Sequence, residues 1–106
     1  MSLDVFGRTI GPGNTDGRQH NQNHQVSITI GKPFKGGVIG GVVPLAGDYG
    51  ATAIDSKSGM GSASGDIQPI GSLASFGRTM LAAVGVAPSI ISSDIGSGTV
   101  IAGALA

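Results

Sequence analysis

The chain has 106 residues, enough for one domain, and its composition limits how much apolar surface that domain can bury. With 20 glycines, three phenylalanines, one tyrosine and no tryptophan, few side chains bring large apolar area. Six lysines and arginines balance six aspartates, too few and too scattered to build a basic face for nucleic acid or an acidic tail.

Apolar burial stabilises by roughly 25 cal/mol per Å², and glycine adds almost none while losing the most backbone freedom on folding. A single domain over 1–106 is therefore expected to gain stability from neighbours, either the rest of a longer parent chain or further copies in a homo-oligomer. Sparse, balanced charge predicts a self-adhering surface. Cysteine is absent, which excludes a disulfide framework and a thiolate metal site. Met1-Ser2-Leu3 runs straight into Asp4, so no export signal is read in this chain. The uncharged stretch from Thr79 to Ser93 is broken by Gly85 and Pro88 and is too short for a bilayer, so no membrane partner is expected.

In chain order, Leu3 to Phe6 reads as the end of a strand. Gly7 to His24 is polar and turn-rich, with Gly11-Pro12-Gly13, Asn14 and Asp16-Gly17, and is expected to be a loop. Val26, Ile28 and Ile30 alternate with Ser27 and Thr29, predicting a half-buried strand that ends at Gly31. Gly36 to Val43 reads as a second strand, its glycines admitting another backbone. Ala51 to Ser56 and Gly65 to Gln68 read as two shorter strands joined through Lys57-Ser58-Gly59. Ser72 to Val84 is the principal helix, with Leu73, Phe76, Met80 and Val84 on one face, Ser72 as N-cap and Gly85 just past its end. Gly77 within it predicts a close packing partner. Pro88 to Ser92 reads as a further turn and Thr99 to Ile101 as a last strand.

Both histidines, His20 and His24, lie in the polar stretch with three residues between them. On a helix that spacing places two imidazoles on one face, as a metal site requires. Gly17 and the Asn/Gln context argue against a helix here, so the spacing carries little weight, and it reads as two solvated side chains making ordinary hydrogen bonds. Lys32 and Lys35 flank glycines but lack the Gly-Lys-Ser/Thr ending of a phosphate loop. No serine stands in a Gly-x-Ser-x-Gly elbow, and no catalytic residue is assigned. Asp55 and Asp66 read as turn and strand-end residues, with flanking a pocket as the alternative.

Phe6-Gly7-Arg8-Thr9, then Gly17-Arg18-Gln19-His20-Asn21, then Gly36-Gly37-Val38-Ile39-Gly40, and a helix over Leu73 to Val86 follow one another in a fixed order. This succession resembles the C-terminal third of a bacterial family of unknown function, often exported by a twin-arginine signal, in the alkaline phosphatase and sulfatase-like superfamily. The resemblance implies a partial three-layer α/β unit, glycine-rich strands with one principal helix. It also implies a parent in which two divalent metals, zinc or manganese, activate a Ser or Thr nucleophile on phosphate or sulfate esters. His20 matches the histidine of the Gly-Arg-x-His turn and becomes the candidate metal ligand, with His24 as the second. Arg18 would meet an anion. A periplasmic or secreted location follows from the same resemblance.

The residue before Phe6, often acidic in that family, is Val5 here, and Asp4 would point to the opposite side of the strand. Two histidines supply neither a two-metal site nor a nucleophile, so the chain is expected to be inactive alone. The alternative expectation is a non-enzymatic module that self-associates through its glycine-rich strands.

Overall fold

The structure, a computed structural model, describes residues 2–10 and 17–106, with the side chains of residues 2–4 left aside. The expected turn at Gly11-Pro12-Gly13, with Asn14 and Asp16, lies outside the described residues. Among the described residues the fold is mixed α/β, with two small antiparallel sheets and two α-helices. The elements are β1 (Ser2–Arg8), β2 (His20–Thr29), β3 (Val42–Leu45), β4 (Asp48–Ala51), α1 (Ser72–Ala83) and α2 (Pro88–Asp94), with 3-10 turns at Pro69–Gly71 and Ala102–Ala104. The chain divides into two compact units, one of 1–30 with 42–51 and the other of 31–41 with 52–106.

In the first unit β1 pairs antiparallel with β2, from Ser2 opposite Thr29 to Arg8 opposite His20. The register slips after Phe6: Phe6 faces Gln25 but Gly7 faces Asn21, so residues 22–24 form a bulge. The buried Asn21 holds this bulge, its Oδ1 accepting from the Asn23 amide at 2.9 Å and its Nδ2 donating to the Tyr49 carbonyl at 2.9 Å. The segment from His20 to His24 is therefore strand, which corrects the expected loop. Asn, Gln and His are poor strand formers, and pairing with Phe6–Arg8 overrides that preference.

Residues 26–29 of the predicted strand at 26–30 lie within β2, which stops short of Ile30, and the apolar side of the strand is the open one. Val5 stands opposite Val26, which puts these two on one face, with Ile28 two residues along β2 on the same side. Val5, Val26 and Ile28 remain 61%, 55% and 54% exposed, while Ser27 and Thr29 are the half-buried members. A two-stranded sheet has no second layer of its own, so the alternation survives without the burial it predicts.

β3 and β4 form a hairpin from Val42 opposite Ala51 to Leu45 opposite Asp48. The expected strand over 36–43 is corrected: only Val42 and Val43 of it are strand, because Gly37 (φ 145°) and Gly40 (φ 78°) leave the extended region. The two-residue turn has φ 50° at Ala46 and 79° at Gly47, the pattern of a type I′ hairpin. Alanine is costly in that conformation, by about 1–2 kcal/mol. Replacing Ala46 with Gly or Asn is expected to stabilise the hairpin by about 0.5–1 kcal/mol, read as slower amide exchange across β3 and β4.

In the second unit, α1 ends as expected. The Gly85 amide (φ 81°) bonds the Ala82 carbonyl at 3.0 Å and the Val86 amide bonds the Leu81 carbonyl at 3.1 Å, a Schellman stop. Its start is corrected by one residue: Gly71 is the N-cap, and the Ser72 hydroxyl instead donates back to the Pro69 carbonyl at 2.7 Å. Position 77 abuts Ile95 Cδ1, 3.2 Å from where a Cβ would lie, so the glycine does have a close partner.

The inward face of α1 is not the expected one. Ser75 and Thr79 are its buried residues, while Leu73 and Val84 are 70% and 74% exposed. The hydroxyls face inward because the segment 99–101 lies against them without a β partner. Ser75 Oγ accepts from the Thr99 amide at 3.0 Å. Thr79 Oγ1 accepts from the Ile101 amide at 2.9 Å and donates to the Ser75 carbonyl at 2.6 Å. Thr99 to Ile101 is thus no strand, and its Thr99 and Ile101 amides are satisfied by helix side chains instead of a ladder.

Pro88–Asp94 is a full helix where a turn is predicted, fastened to α1 by Arg78, whose guanidinium donates to the Ile95 carbonyl (2.6 Å) and Ser92 Oγ (2.9 Å). Ile54 exchanges both backbone hydrogen bonds with Ile67 as an isolated bridge, so the two short strands expected around them reduce to that contact and a bridge to Gly61. Ile67, Ile101 and Ala104, with Ile54 against them, form the small core of this unit.

Candidate functional site

The bulged hairpin of the first unit gathers the polar residues that the sequence singles out. Phe6, Gly7 and Arg8 are consecutive on β1, so Phe6 and Arg8 point to one face and position 7 to the other. His20 stands opposite Arg8 and packs on the Phe6 ring, with centroids 3.9 Å apart and planes tilted by 44°. The Arg8 guanidinium lies over the same ring at 4.9 Å. Such a cation–π contact contributes about 0.5–1 kcal/mol at an exposed site.

Arg8 Nη1 donates to the Arg18 carbonyl at 3.1 Å, and Arg18 Nη1 donates to the Thr9 carbonyl at 2.9 Å. The Gln19 amide bonds Thr9 Oγ1 at 3.2 Å and the Thr9 amide bonds the Gln19 carbonyl at 3.0 Å. This lattice closes the hairpin end beyond the last paired residues. Asp48 sits in the same unit, accepting from the Ile10 amide at 3.2 Å and from the Tyr49 amide at 2.8 Å, so its carboxylate is bound to backbone.

His24 belongs to the other face. A Cβ at position 7 would meet its carbonyl oxygen at 2.5 Å and its Nε2 at 2.7 Å, so the imidazole fills the space above Gly7. Its Nδ1 lies 3.3 Å from the Tyr49 carbonyl. His20 is on the Phe6 and Arg8 side and His24 on the Gly7 side. The two imidazoles rest against different partners, His20 on the Phe6 ring and His24 in the space above Gly7. No group of three or more His, Cys, Asp or Glu side chains suited to a metal exists among the described residues. The side chains present do not by themselves fit the paired divalent metals that the resemblance implies.

Sequence reasoning names Arg18, His20 and His24 and misses Arg8 and Asn21. The signal for Arg8 was its place two residues after Phe6, which fixes both on one face of a strand. Lys35 serves the second unit as connector, its amide bonding the Ala104 carbonyl at 3.0 Å. Gly98, Gln68, Ile70, Asp66, Ser75 and Thr99 help line a cavity of about 280 Å³ in that unit, so Asp66 does border a pocket.

Asp55 and Asp66 otherwise act as turn residues. Asp55 Oδ1 accepts from the Ser58 amide (2.7 Å), the Ser58 hydroxyl (2.8 Å) and the Lys57 amide (3.1 Å). Asp66 Oδ1 accepts from the Ser56 amide at 2.7 Å. The Ser58 amide, then its hydroxyl, holds the Asp55 carboxyl below the usual 3.8, and the Ser56 amide and hydroxyl do the same for Asp66. Because both folded values are lowered, their contribution to stability is complete above that usual value and is lost as pH falls through the lowered ones. The Ser56 and Ser58 amide resonances are expected to titrate with midpoints below 3.8. Asp55→Asn would remove the transition at Ser58 while leaving that at Ser56.

No protein-family model, curated protein or solved structure matches this chain. Among the described residues no helix is long and apolar enough to cross a membrane.

Proposed function

We propose that this chain is the C-terminal portion of an alkaline-phosphatase-like metallohydrolase of the exported bacterial family it resembles, and that it is inactive by itself. One observation supports the reading. The two short motifs that carry the resemblance, Phe6-Gly7-Arg8-Thr9 and Gly17-Arg18-Gln19-His20, lie on opposite arms of one hairpin and interlock residue by residue. Residues this far apart in sequence have no local reason to match a pattern together. As one cluster they have a shared one.

In this reading His20 contributes one ligand to a divalent metal in the intact protein, and Arg18 lies beside the ester's anionic group. The other ligands and the nucleophile come from elsewhere in that protein. The test is to extend the reading frame upstream, express the longer product and assay it on phosphate and sulfate monoesters with zinc or manganese. Metal-dependent hydrolysis that His20→Ala abolishes supports the reading; hydrolysis unchanged by that substitution overturns it.

The open apolar face of Val5, Val26 and Ile28 favours a second reading, a non-enzymatic module that self-associates. A monodisperse monomer at high concentration in sizing with light scattering would overturn that one.

A further inference from the structure

We propose that Phe-Gly-Arg-Thr is this chain's clasp for a returning segment: the glycine makes room for the segment, the arginine caps one of its carbonyls and the threonine hydroxyl takes one of its amides. The tetrapeptide occurs twice, from Phe6 to Thr9 and from Phe76 to Thr79. The first copy runs off the end of β1 and the second lies inside α1, so a shared backbone conformation does not explain a shared role. The inference rests on the bonding pattern and holds whether or not the parent is a hydrolase.

The side-chain bonds of the two copies match. Arg8 Nη1 donates to the Arg18 carbonyl at 3.1 Å and Thr9 Oγ1 accepts from the Gln19 amide at 3.2 Å, so the pair grips both polar ends of one peptide group. The Phe6 ring also supports that guanidinium at 4.9 Å. Arg78 Nη1 donates to the Ile95 carbonyl at 2.6 Å and Thr79 Oγ1 accepts from the Ile101 amide at 2.9 Å, which fastens 95–101 to the helix. The glycines match as well. A Cβ at position 7 would meet the His24 carbonyl oxygen at 2.5 Å, and one at position 77 would meet Ile95 Cδ1 at 3.2 Å, on the residue whose carbonyl Arg78 holds.

Chemistry accounts for the choice of residues. Neither 18–19 nor 95–101 belongs to a strand, so their carbonyls and amides need partners from elsewhere. A guanidinium carries donors only and a hydroxyl brings two acceptor lone pairs, so adjacent Arg and Thr serve one group of each kind. Among the described residues both guanidinium groups bond backbone or hydroxyl oxygens and no carboxylate. The buried Arg78 Nε has no partner. A stranded buried donor is costly, and the two bonded nitrogens of Arg78 are what offsets it.

The test is backbone hydrogen exchange followed by NMR in the purified 106-residue chain. Thr9→Val and Arg8→Met remove the hydroxyl and the guanidinium and keep the stems. Each should speed exchange of the Gln19 amide about two- to tenfold, the scale of one lost hydrogen bond. Arg78→Met should do the same at the Ile95 amide, where α2 ends. Conservative changes separate the clasp from general damage: Thr9→Ser keeps the hydroxyl and should leave Gln19 exchange at the parent value, and Arg8→Lys keeps a donor and should recover part of the loss. If Thr9→Val loses the β1–β2 cross-strand amide pattern, the comparison of Thr9→Ser with the parent chain still decides. Val or Met variants that exchange like the parent chain, or Thr9→Ser exchanging at Gln19 as fast as a chain without the hydroxyl, overturn the proposal.

Discussion

Gly103→Ala is expected to destabilise the second unit strongly. Gly103 is buried where the chain turns through Ala102–Ala104, and its amide donates to the Ser56 carbonyl at 3.1 Å. A methyl group there would run into the backbone of Ser58 and Gly59. Flexible side chains can swing away from an added methyl, and overpacking of that kind costs about 1–3 kcal/mol. Backbone cannot swing. The 56–58 turn is further fixed by Asp55 and Asp66, so relief would require giving up those hydrogen bonds as well. The expected loss is about 3 kcal/mol or more, a large part of the roughly 5–15 kcal/mol by which a domain is usually stable. Gly36→Ala is the matched control, since nothing lies within 4 Å of its added methyl, and it should shift stability by no more than about 0.5 kcal/mol. Denaturant midpoints followed by circular dichroism compare the two. Equal midpoints would show that the Ser58–Gly59 backbone yields.

Thr79→Val is the second large effect. Valine keeps the shape of threonine and removes only the hydroxyl. That hydroxyl bridges the Ser75 carbonyl and the Ile101 amide in a buried place, with Thr79 3% and Ile101 5% exposed. The Ile101 N–H would be left without a partner and without water. A stranded buried donor costs about 1–3 kcal/mol. Thr79→Ser should recover most of the loss, because the hydroxyl and not the methyl holds the 99–101 segment. Ser75→Ala should act similarly through the Thr99 amide, and the two changes together should cost less than their sum, since they serve one segment. Hydrogen exchange at Ile101 gives the direct reading. Protection equal to the unaltered chain in Thr79→Val would remove this account of the helix's inward face.

The same helix shows what the sequence can and cannot convey. Its limits are written locally: Gly85 for the stop, Gly77 for the close neighbour at Ile95, apolar spacing for the period. Its orientation is not. Leu73, Phe76, Met80 and Val84 read as the inward stripe because apolar spacing normally marks the buried side. The inward side is instead set by which amides need partners, and that depends on a segment more than twenty residues later. Ser75 and Thr79, four apart, were the only local trace of it.

The hairpin shows the same divide. The strand around Val26 was legible from alternation, but its extension back to His20 was not, because it is created by pairing with Phe6–Arg8. For the same reason Arg18 and His20 were legible as candidates while Arg8, which shares their cluster, was not. The different partners of His20 and His24 also arise from tertiary structure: the bulge at 22–24 follows from pairing with β1, and no spacing rule anticipates a bulge.

The route of the chain has a consequence for dissection. Residues 31–41 belong with 52–106, whereas 42–51 return to join 1–30. The polypeptide thus threads out of one body, back, and out again, so no single cut frees either of them whole. Deleting everything before residue 52 would remove the Pro33 and Phe34 backbone that Ala106 and Leu105 lean on, and stopping at residue 30 would leave Asn21 without the Tyr49 carbonyl it bonds. Scissile sites chosen by chain position alone will yield halves that each lack a piece the other carries.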